Sequence, residues 1–133
     1  MTQSSFETGL AKSKRIIALI DDLFFAERIR ATGIGTGIPI EILKSGEVLL
    51  QRIKTEIPSL LIVDLNGTST GPIETIQKIK SDPRLGGFPI LGFFSHVQED
   101  LKRRALQAGC NTVLPRSSFS KDLSKILKEH SIQ

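Results

Sequence analysis

The sequence predicts an α/β fold in which five parallel strands are covered by helices on both faces of the sheet. Five apolar runs of strand length alternate along the chain with segments of helical periodicity. The helical segments span about 8 to 15 residues, enough for the right-handed crossovers that join parallel strands. The 133 residues suit one domain with its own core, and no internal repeat divides them.

The apolar runs define five strands in order along the chain. They are expected at Arg15–Ile20, Ile38–Leu43, Ser59–Asp64, Pro89–Phe94 and Asn111–Leu114. Pro39 cannot donate a backbone hydrogen bond, which suits an edge position for the second strand. Pro115 removes a further N–H, so the fifth strand should be short or irregular.

The helices are delimited by capping residues. The first should cover Leu23–Thr32 and stop at the glycine-rich segment 33–37. Ser45 should cap the second, which runs to about Glu56 and turns three apolar residues inward: Val48, Leu49 and Ile53. The third starts near Pro72 and the fourth covers Gln98–Ala108, before Gly109. Ser117 or Ser118 should cap the last, whose apolar stripe is Phe119, Leu123, Ile126 and Leu127.

Composition limits the function classes. The net charge of +4 is spread over several segments, and no basic run or aromatic cluster accompanies it, so we expect no direct nucleic-acid binding. No apolar stretch approaches the length of a membrane span, and the N-terminus lacks a signal-peptide core. The single cysteine, Cys110, cannot form an internal disulfide and is expected to pack in the core. We therefore expect a cytoplasmic protein with no membrane contact.

Carboxylates follow two of the predicted strands. Asp21 and Asp22 come after the first strand, and Asp64 ends the third. Ligands gather at the carboxyl ends of parallel strands, so these three side chains should surround one spot. Three carboxylates repel one another, and the spot should therefore attract a divalent cation or a basic side chain.

With these features, residues 14–129 resemble the receiver domain of response regulators in two-component signalling. The matching positions are the acidic pair Asp21-Asp22, Asp64 with Asn66 two residues on, Ser95 after the fourth strand and Arg116 after the fifth. Ser95 and Arg116 lie 31 and 52 residues beyond Asp64, where the family places such residues. The resemblance implies a flavodoxin-like (βα)5 three-layer sandwich with strand order 2-1-3-4-5. Residues 1–13 and 130–133 would then be tails.

The resemblance also implies roles for these residues. Asp64 would be the phosphoacceptor, receiving a phosphoryl group from a sensor histidine kinase or phosphotransfer protein. Mg²⁺ would be held by Asp22, Asp64 and the backbone carbonyl of Asn66, with Asp21 placing a metal-bound water. Ser95 would hydrogen-bond a phosphoryl oxygen, although it could also cap the fourth helix.

Several positions depart from the family pattern. Arg116 replaces the usual lysine. It could be an internal counter-ion that only neutralises the carboxylates, for example by pairing bidentately with Asp64, or it could contact the phosphoryl group or remain in solvent. Val113 stands where the family has a switch aromatic. His96 stands where a small residue usually leaves the site open, so it could gate the site or be only a polar loop residue.

Two functions follow from this pattern. The first is a stand-alone receiver phosphoprotein in a phosphorelay, without enzyme activity beyond self-phosphorylation and slow self-dephosphorylation, that signals through a protein partner. The second is a degenerate pseudo-receiver that binds partners independently of phosphorylation, with Arg116 locked onto Asp64. The resemblance implies that the downstream partner binds the face of the fourth helix, fifth strand and fifth helix, which could also form a homodimer. Its expected surface members are Leu101, Ala105, Lys121 and Lys125.

Overall fold

Five strands lie side by side in one parallel sheet of order β2-β1-β3-β4-β5, as the sequence predicts. The structure is a computed structural model that describes residues 15–85, 87–95 and 98–131. The strands are β1 (Ile16–Leu19), β2 (Ile40–Leu43), β3 (Leu60–Asp64), β4 (Ile90–Phe94) and β5 (Thr112–Pro115). The helices are α1 (Leu23–Thr36), α2 (Gly46–Ile53), α3 (Pro72–Ser81), α4 (Glu99–Ala108) and α5 (Arg116–Ser131), with a short 3-10 helix at Pro83–Leu85. The predicted N-terminal tail and His96 lie outside the described residues.

Two apolar clusters fill the spaces on the two faces of the sheet. Successive side chains of a strand point to opposite faces, so β1 contributes Ile17 and Leu19 to one cluster and Ile16 and Ala18 to the other. The first cluster contains the buried residues of α2, α3 and α4, and the second contains those of α1 and α5. The predicted three-layer flavodoxin-like sandwich is therefore confirmed.

Helix α1 continues past the point where the sequence predicts its end. It runs through Gly33 and Gly35 to Thr36 and stops at Gly37, whose φ of 74° lies in the left-handed region. Position 33 needs a glycine because the chain at β2 approaches it closely. A Cβ there would lie 2.7 Å from Cδ1 of Ile40 and 2.9 Å from the carbonyl oxygen of Ile38. The glycine at this position thus serves packing and does not end the helix.

Helix α2 begins at the predicted cap, but Val48, which was predicted to face the core, is exposed. The Ser45 hydroxyl accepts a hydrogen bond from the N–H of Val48 at 3.2 Å, which confirms the cap. Leu49 and Ile53 are fully buried, whereas Val48 is 51% exposed, so its predicted inward orientation is wrong. Leu49 and Ile53 are one helical turn apart and define the buried stripe, and Val48 is rotated about 100° away from Leu49.

The ends of β5 and α5 differ from expectation. Strand β5 is a short edge strand, as Pro115 predicts, and α5 begins immediately after it at Arg116. Neither Ser117 nor Ser118 precedes the helix, so the prediction that one of them caps it is wrong. The helix continues to Ser131, beyond the domain boundary expected at residue 129.

The face of α4, β5 and α5 contains most of the surface residues expected there. Lys121 and Lys125 are exposed and Leu101 is half-buried. Ala105 is fully buried against the sheet, so its expected surface position is wrong; Ala105 and Ala108 form the inward stripe of α4. Within the described ranges, no helix is long and apolar enough to span a membrane.

Candidate functional site

Asp64 is the last residue of β3, the central strand of the sheet, and its side chain is only 4% exposed. The N–H of Asn66 donates a hydrogen bond to its Oδ1 at 2.9 Å. Burial raises the pKa of the Asp64 carboxyl; the Asn66 N–H and the charge of Arg116 oppose that rise, and Asp21 and Asp22 add to it. The predicted convergence of three carboxylates and a basic residue is therefore observed.

Asp21 holds the loop between β3 and α3. Its Oδ2 accepts hydrogen bonds from the N–H of Thr68 at 3.2 Å, the N–H of Ser69 at 3.0 Å and the hydroxyl of Ser69 at 2.8 Å. These donors, led by the Ser69 N–H, lower the pKa of the Asp21 carboxyl despite some desolvation. The carboxylate thus fixes the loop that follows Asp64.

Asp22 caps α1 and pairs with Arg116. Its Oδ1 accepts a hydrogen bond from the N–H of Phe25 at 3.1 Å, in the manner of an N-cap aspartate. Its Oδ2 accepts one from Nη2 of Arg116 at 3.0 Å. The Phe25 N–H first, and then the Arg116 guanidinium, lower the pKa of the Asp22 carboxyl.

Arg116 lies between the acidic pair and the end of β4. Its Nη1 donates to the hydroxyl of Ser95 at 3.4 Å, and its Cζ lies 3.9 Å from the centroid of the Phe25 ring. Among the described residues, its hydrogen bonds go to Asp22 and Ser95. Of the alternatives for Arg116, bidentate pairing with Asp64 is therefore not observed: Arg116 acts on Asp64 through its charge, without a hydrogen bond.

Asn66 connects the end of β3 to the loop before α4. Its Oδ1 accepts a hydrogen bond from the N–H of Ser95 at 2.6 Å, and its Nδ2 donates to Oε1 of Gln98 at 2.9 Å. The N-cap residue of α4 is Gln98, so the alternative role of Ser95 as that cap is wrong. Ser95 itself is exposed and contacts Arg116.

Two of the predicted metal ligands, Asp21 and Asp22, are already engaged by hydrogen bonds from the protein. Within residues 15–85, 87–95 and 98–131, no three His, Cys, Asp or Glu side chains are grouped so that they could hold a metal ion. Asp21 holds the β3–α3 loop through its Oδ2, and both oxygens of Asp22 have protein donors. The expected set also includes the backbone carbonyl of Asn66, which is not among these residue types, so the Mg²⁺ site stays a prediction.

Four residues of the site were not predicted from the sequence: Phe25, Thr68, Ser69 and Gln98. The Gly-, Thr- and Ser-rich loop after β3 is a signal that could have identified Thr68 and Ser69 as donors to a nearby carboxylate. Phe25 and Gln98 have no such signal, because their roles depend on side chains that meet only in the folded chain.

The comparisons with known proteins agree with this architecture. No family model matches the chain. The transcriptional activator protein ExaE of Pseudomonas putida is 32% identical over 82 residues, which are 62% of this chain and 37% of that protein. This chain therefore aligns with little more than a third of that relative's length.

Solved structures show the class of fold. A response regulator from Hahella chejuensis superposes with a TM-score of 0.78 at 20% identity, covering 89% of this chain and 95% of that one. The phosphorylated cyanobacterial phytochrome response regulator RcpA has a TM-score of 0.70 at 22% identity, covering 86% and 89%. The Mn²⁺-bound response regulator Rcp1 has a TM-score of 0.70 at 22% identity, covering 88% and 91%. The chain thus has the fold of response regulator receiver domains, as the sequence resemblance implied.

Proposed function

We propose that the chain is a phosphorelay receiver that accepts a phosphoryl group on Asp64 and signals by binding a protein partner. The observation that carries this proposal is the position of Asp64, a buried carboxylate at the carboxyl end of the central strand. Among the described residues, Oδ1 has a hydrogen-bond donor and Oδ2 has none, which leaves Oδ2 as the nucleophilic atom. The receiver-domain fold supports the same function.

The reaction is a transfer between two groups. Oδ2 of Asp64 attacks the phosphorus of a phosphohistidine on a sensor kinase or phosphotransfer protein, and the O–P bond forms as the P–N bond breaks. The bonding electrons leave with the imidazole, which takes a proton from water. Ser95 and Arg116 already contact each other beside Asp22, and their hydroxyl and guanidinium donors suit the charged oxygens of the phosphoryl group.

The remaining parts of the function are also proposals. We expect the protein to act in the cytoplasm, as a signalling module whose only chemistry is self-phosphorylation and slow self-dephosphorylation. The face of α4, β5 and α5, with Lys121 and Lys125 exposed, is the proposed surface for a downstream partner or a second copy. A role for Mg²⁺ stays a prediction. Both oxygens of Asp22 accept hydrogen bonds from the protein, and Mg²⁺ would have to compete with these donors.

Phosphorylation is tested by incubating the protein with acetyl phosphate, with and without Mg²⁺, and measuring its intact mass. The wild type should gain the mass of one phosphoryl group, and Asp64→Asn should gain none. Asp122→Asn, which removes an exposed carboxylate on α5, is the matched control and should be labelled like the wild type. Absence of labelling in the wild type under both conditions, or labelling of Asp64→Asn, would contradict the proposal.

A second function is favoured by one specific observation. Arg116 engages both Asp22, which the resemblance assigns to Mg²⁺ binding, and Ser95, which it assigns to a phosphoryl contact. A protein-binding module that works without phosphorylation would retain such contacts permanently. In that case, the proteins that co-purify with the wild type should co-purify equally with Asp64→Asn, whereas a phosphorylation-dependent receiver should lose some of them.

A further inference from the structure

We propose that Arg116 is the resident cation of this acidic site and that it keeps divalent cations away from Asp22. A metal ion needs oxygen atoms that are free to coordinate it. Oδ1 of Asp22 accepts a hydrogen bond from the N–H of Phe25, and Oδ2 accepts one from Arg116. A cation that approaches Oδ2 of Asp22 would meet the guanidinium, whose positive charge repels it.

The guanidinium is held by more than its ion pair. Its Nη1 bonds the Ser95 hydroxyl, and its planar group lies over the ring of Phe25 at 3.9 Å. Phe25 is itself fixed, because it is buried and meets the ring of Phe93 edge-on at a centroid distance of 5.1 Å. An arginine held on three sides is oriented before any ligand arrives.

Asp21 is also engaged by the protein, through its Oδ2. That oxygen accepts two backbone N–H groups and the hydroxyls of Thr68 and Ser69 from the loop after β3. Moving it toward a cation would release that loop. The positive charge that three clustered carboxylates require is therefore supplied by the chain itself.

This inference concerns cation binding in the absence of any phosphoryl donor, so it does not depend on whether Asp64 is phosphorylated. Divalent cations are titrated directly, using Mn²⁺ followed by electron paramagnetic resonance and Mg²⁺ followed by the backbone amide shift of Asn66. The variants are Arg116→Gln, which keeps a hydrogen-bond donor and most of the side-chain length, and Arg116→Ala. An amide spectrum of each variant establishes that it is folded, and either folded variant suffices for the test.

We expect wild type to bind Mn²⁺ weakly and the Arg116 variants to bind it at least about tenfold more tightly, because one positive charge has left a cluster of carboxylates. Arg103→Gln is the matched control: Arg103 pairs with Asp100 on the exposed surface of α4, so its loss changes the net charge equally at a distant place. It should bind Mn²⁺ like the wild type. In the double variant Asp22→Asn/Arg116→Gln, the gain should disappear.

Two results would overturn the inference. The first is a wild type that binds Mn²⁺ as tightly as Arg116→Gln does. The second is a gain in the Arg116 variants that persists after Asp22→Asn, since the cation would then use other ligands. Neither result depends on acetyl phosphate labelling of Asp64, so failure of this inference and failure of the receiver proposal can be told apart.

Discussion

Arg116 and Asp22 are 94 positions apart in the sequence, and a hydrogen-bonded ion pair of 3.0 Å joins them. The pair connects the first turn of α5 to the N-cap of α1. Both side chains are about one-third exposed, and ion pairs with such access to solvent contribute at most about 1 kcal/mol to stability. The main effect of the pair is therefore electrostatic, because it holds a positive charge beside the carboxylates of the site.

Asp64 should destabilise the fold at neutral pH. Burial raises the pKa of Asp64 above the ordinary value of 3.8, so the folded protein holds a proton on this carboxyl more tightly than the unfolded chain does. The stability that this proton adds is complete below 3.8 and is lost as the pH rises through the folded-state pKa. Asp64→Asn, which still accepts the hydrogen bond from Asn66, should raise the free energy of unfolding by roughly 1 kcal/mol at about pH 7. Urea unfolding of both proteins measures the difference.

The pH dependence provides the control for that prediction. The advantage of Asp64→Asn should shrink as the pH falls through the raised folded-state pKa of Asp64, because the wild-type carboxyl then takes up a proton and no longer holds a buried charge. An advantage that is constant over this range would mean that ionisation of Asp64 is not its cause.

Asp21→Ala should loosen the loop between β3 and α3. The substitution removes the acceptor of two backbone N–H groups and two hydroxyls, at a cost of about 1 kcal/mol. Hydrogen exchange of the Thr68 and Ser69 amides, followed by NMR, should become faster. Ser69→Ala removes only one of these hydroxyl donors, so it should leave the Thr68 amide protected, and equal effects of the two variants would contradict the assigned contacts.

Asn66 should control the mobility of the segment around Ser95. Asn66→Ala removes the acceptor of the Ser95 N–H and should increase exchange of that amide by about tenfold. Gln98→Ala removes only the hydrogen bond from Nδ2 of Asn66 to Gln98 and should leave exchange at Ser95 unchanged. Equal acceleration by both substitutions would contradict this, because it would show that the two hydrogen bonds of the Asn66 side chain do not act independently.

The two glycines inside α1 should respond oppositely to alanine. A Cβ at Gly33 would meet the carbonyl oxygen of Ile38 at 2.9 Å, so Gly33→Ala should destabilise the protein by about 1–3 kcal/mol. A Cβ at Gly35 has nothing within 4 Å, so Gly35→Ala should stabilise it by about 0.5–1 kcal/mol through helix propensity. Thermal unfolding of the two variants tests both predictions. Stabilisation by both substitutions would show that the segment of Ile38 and Ile40 can move away from position 33 at little cost.

Cys110 should be inert in the folded protein. Burial raises the pKa of its thiol to about 11, and only the thiolate reacts with disulfide reagents. At about pH 8, reaction with such a reagent should follow global unfolding, and denaturant should accelerate it by orders of magnitude. Rapid reaction of the native protein would indicate that the end of α4 opens locally.

The strands were predictable because each is a compact apolar run, and parallel topology then brought Asp21, Asp22 and Asp64 together. The end of α1 was not, since glycine usually breaks helices and only the close approach of β2 explains Gly33. Residue spacing placed Arg116 at the site but could not choose among its nearby carboxylates. That choice depends on the Phe25 ring, which lies beneath the guanidinium only in the folded chain.

The ring of Phe25 under Arg116 also provides a built-in spectroscopic reporter. The chain has seven phenylalanines and no tryptophan or tyrosine, so ordinary protein fluorescence is of little use. A guanidinium 3.9 Å from an aromatic centroid experiences the ring current, and its Nε–H and side-chain proton resonances should be shifted upfield. Any event that draws Arg116 off the ring would return those resonances to ordinary positions, so the state of the site could be followed without a label.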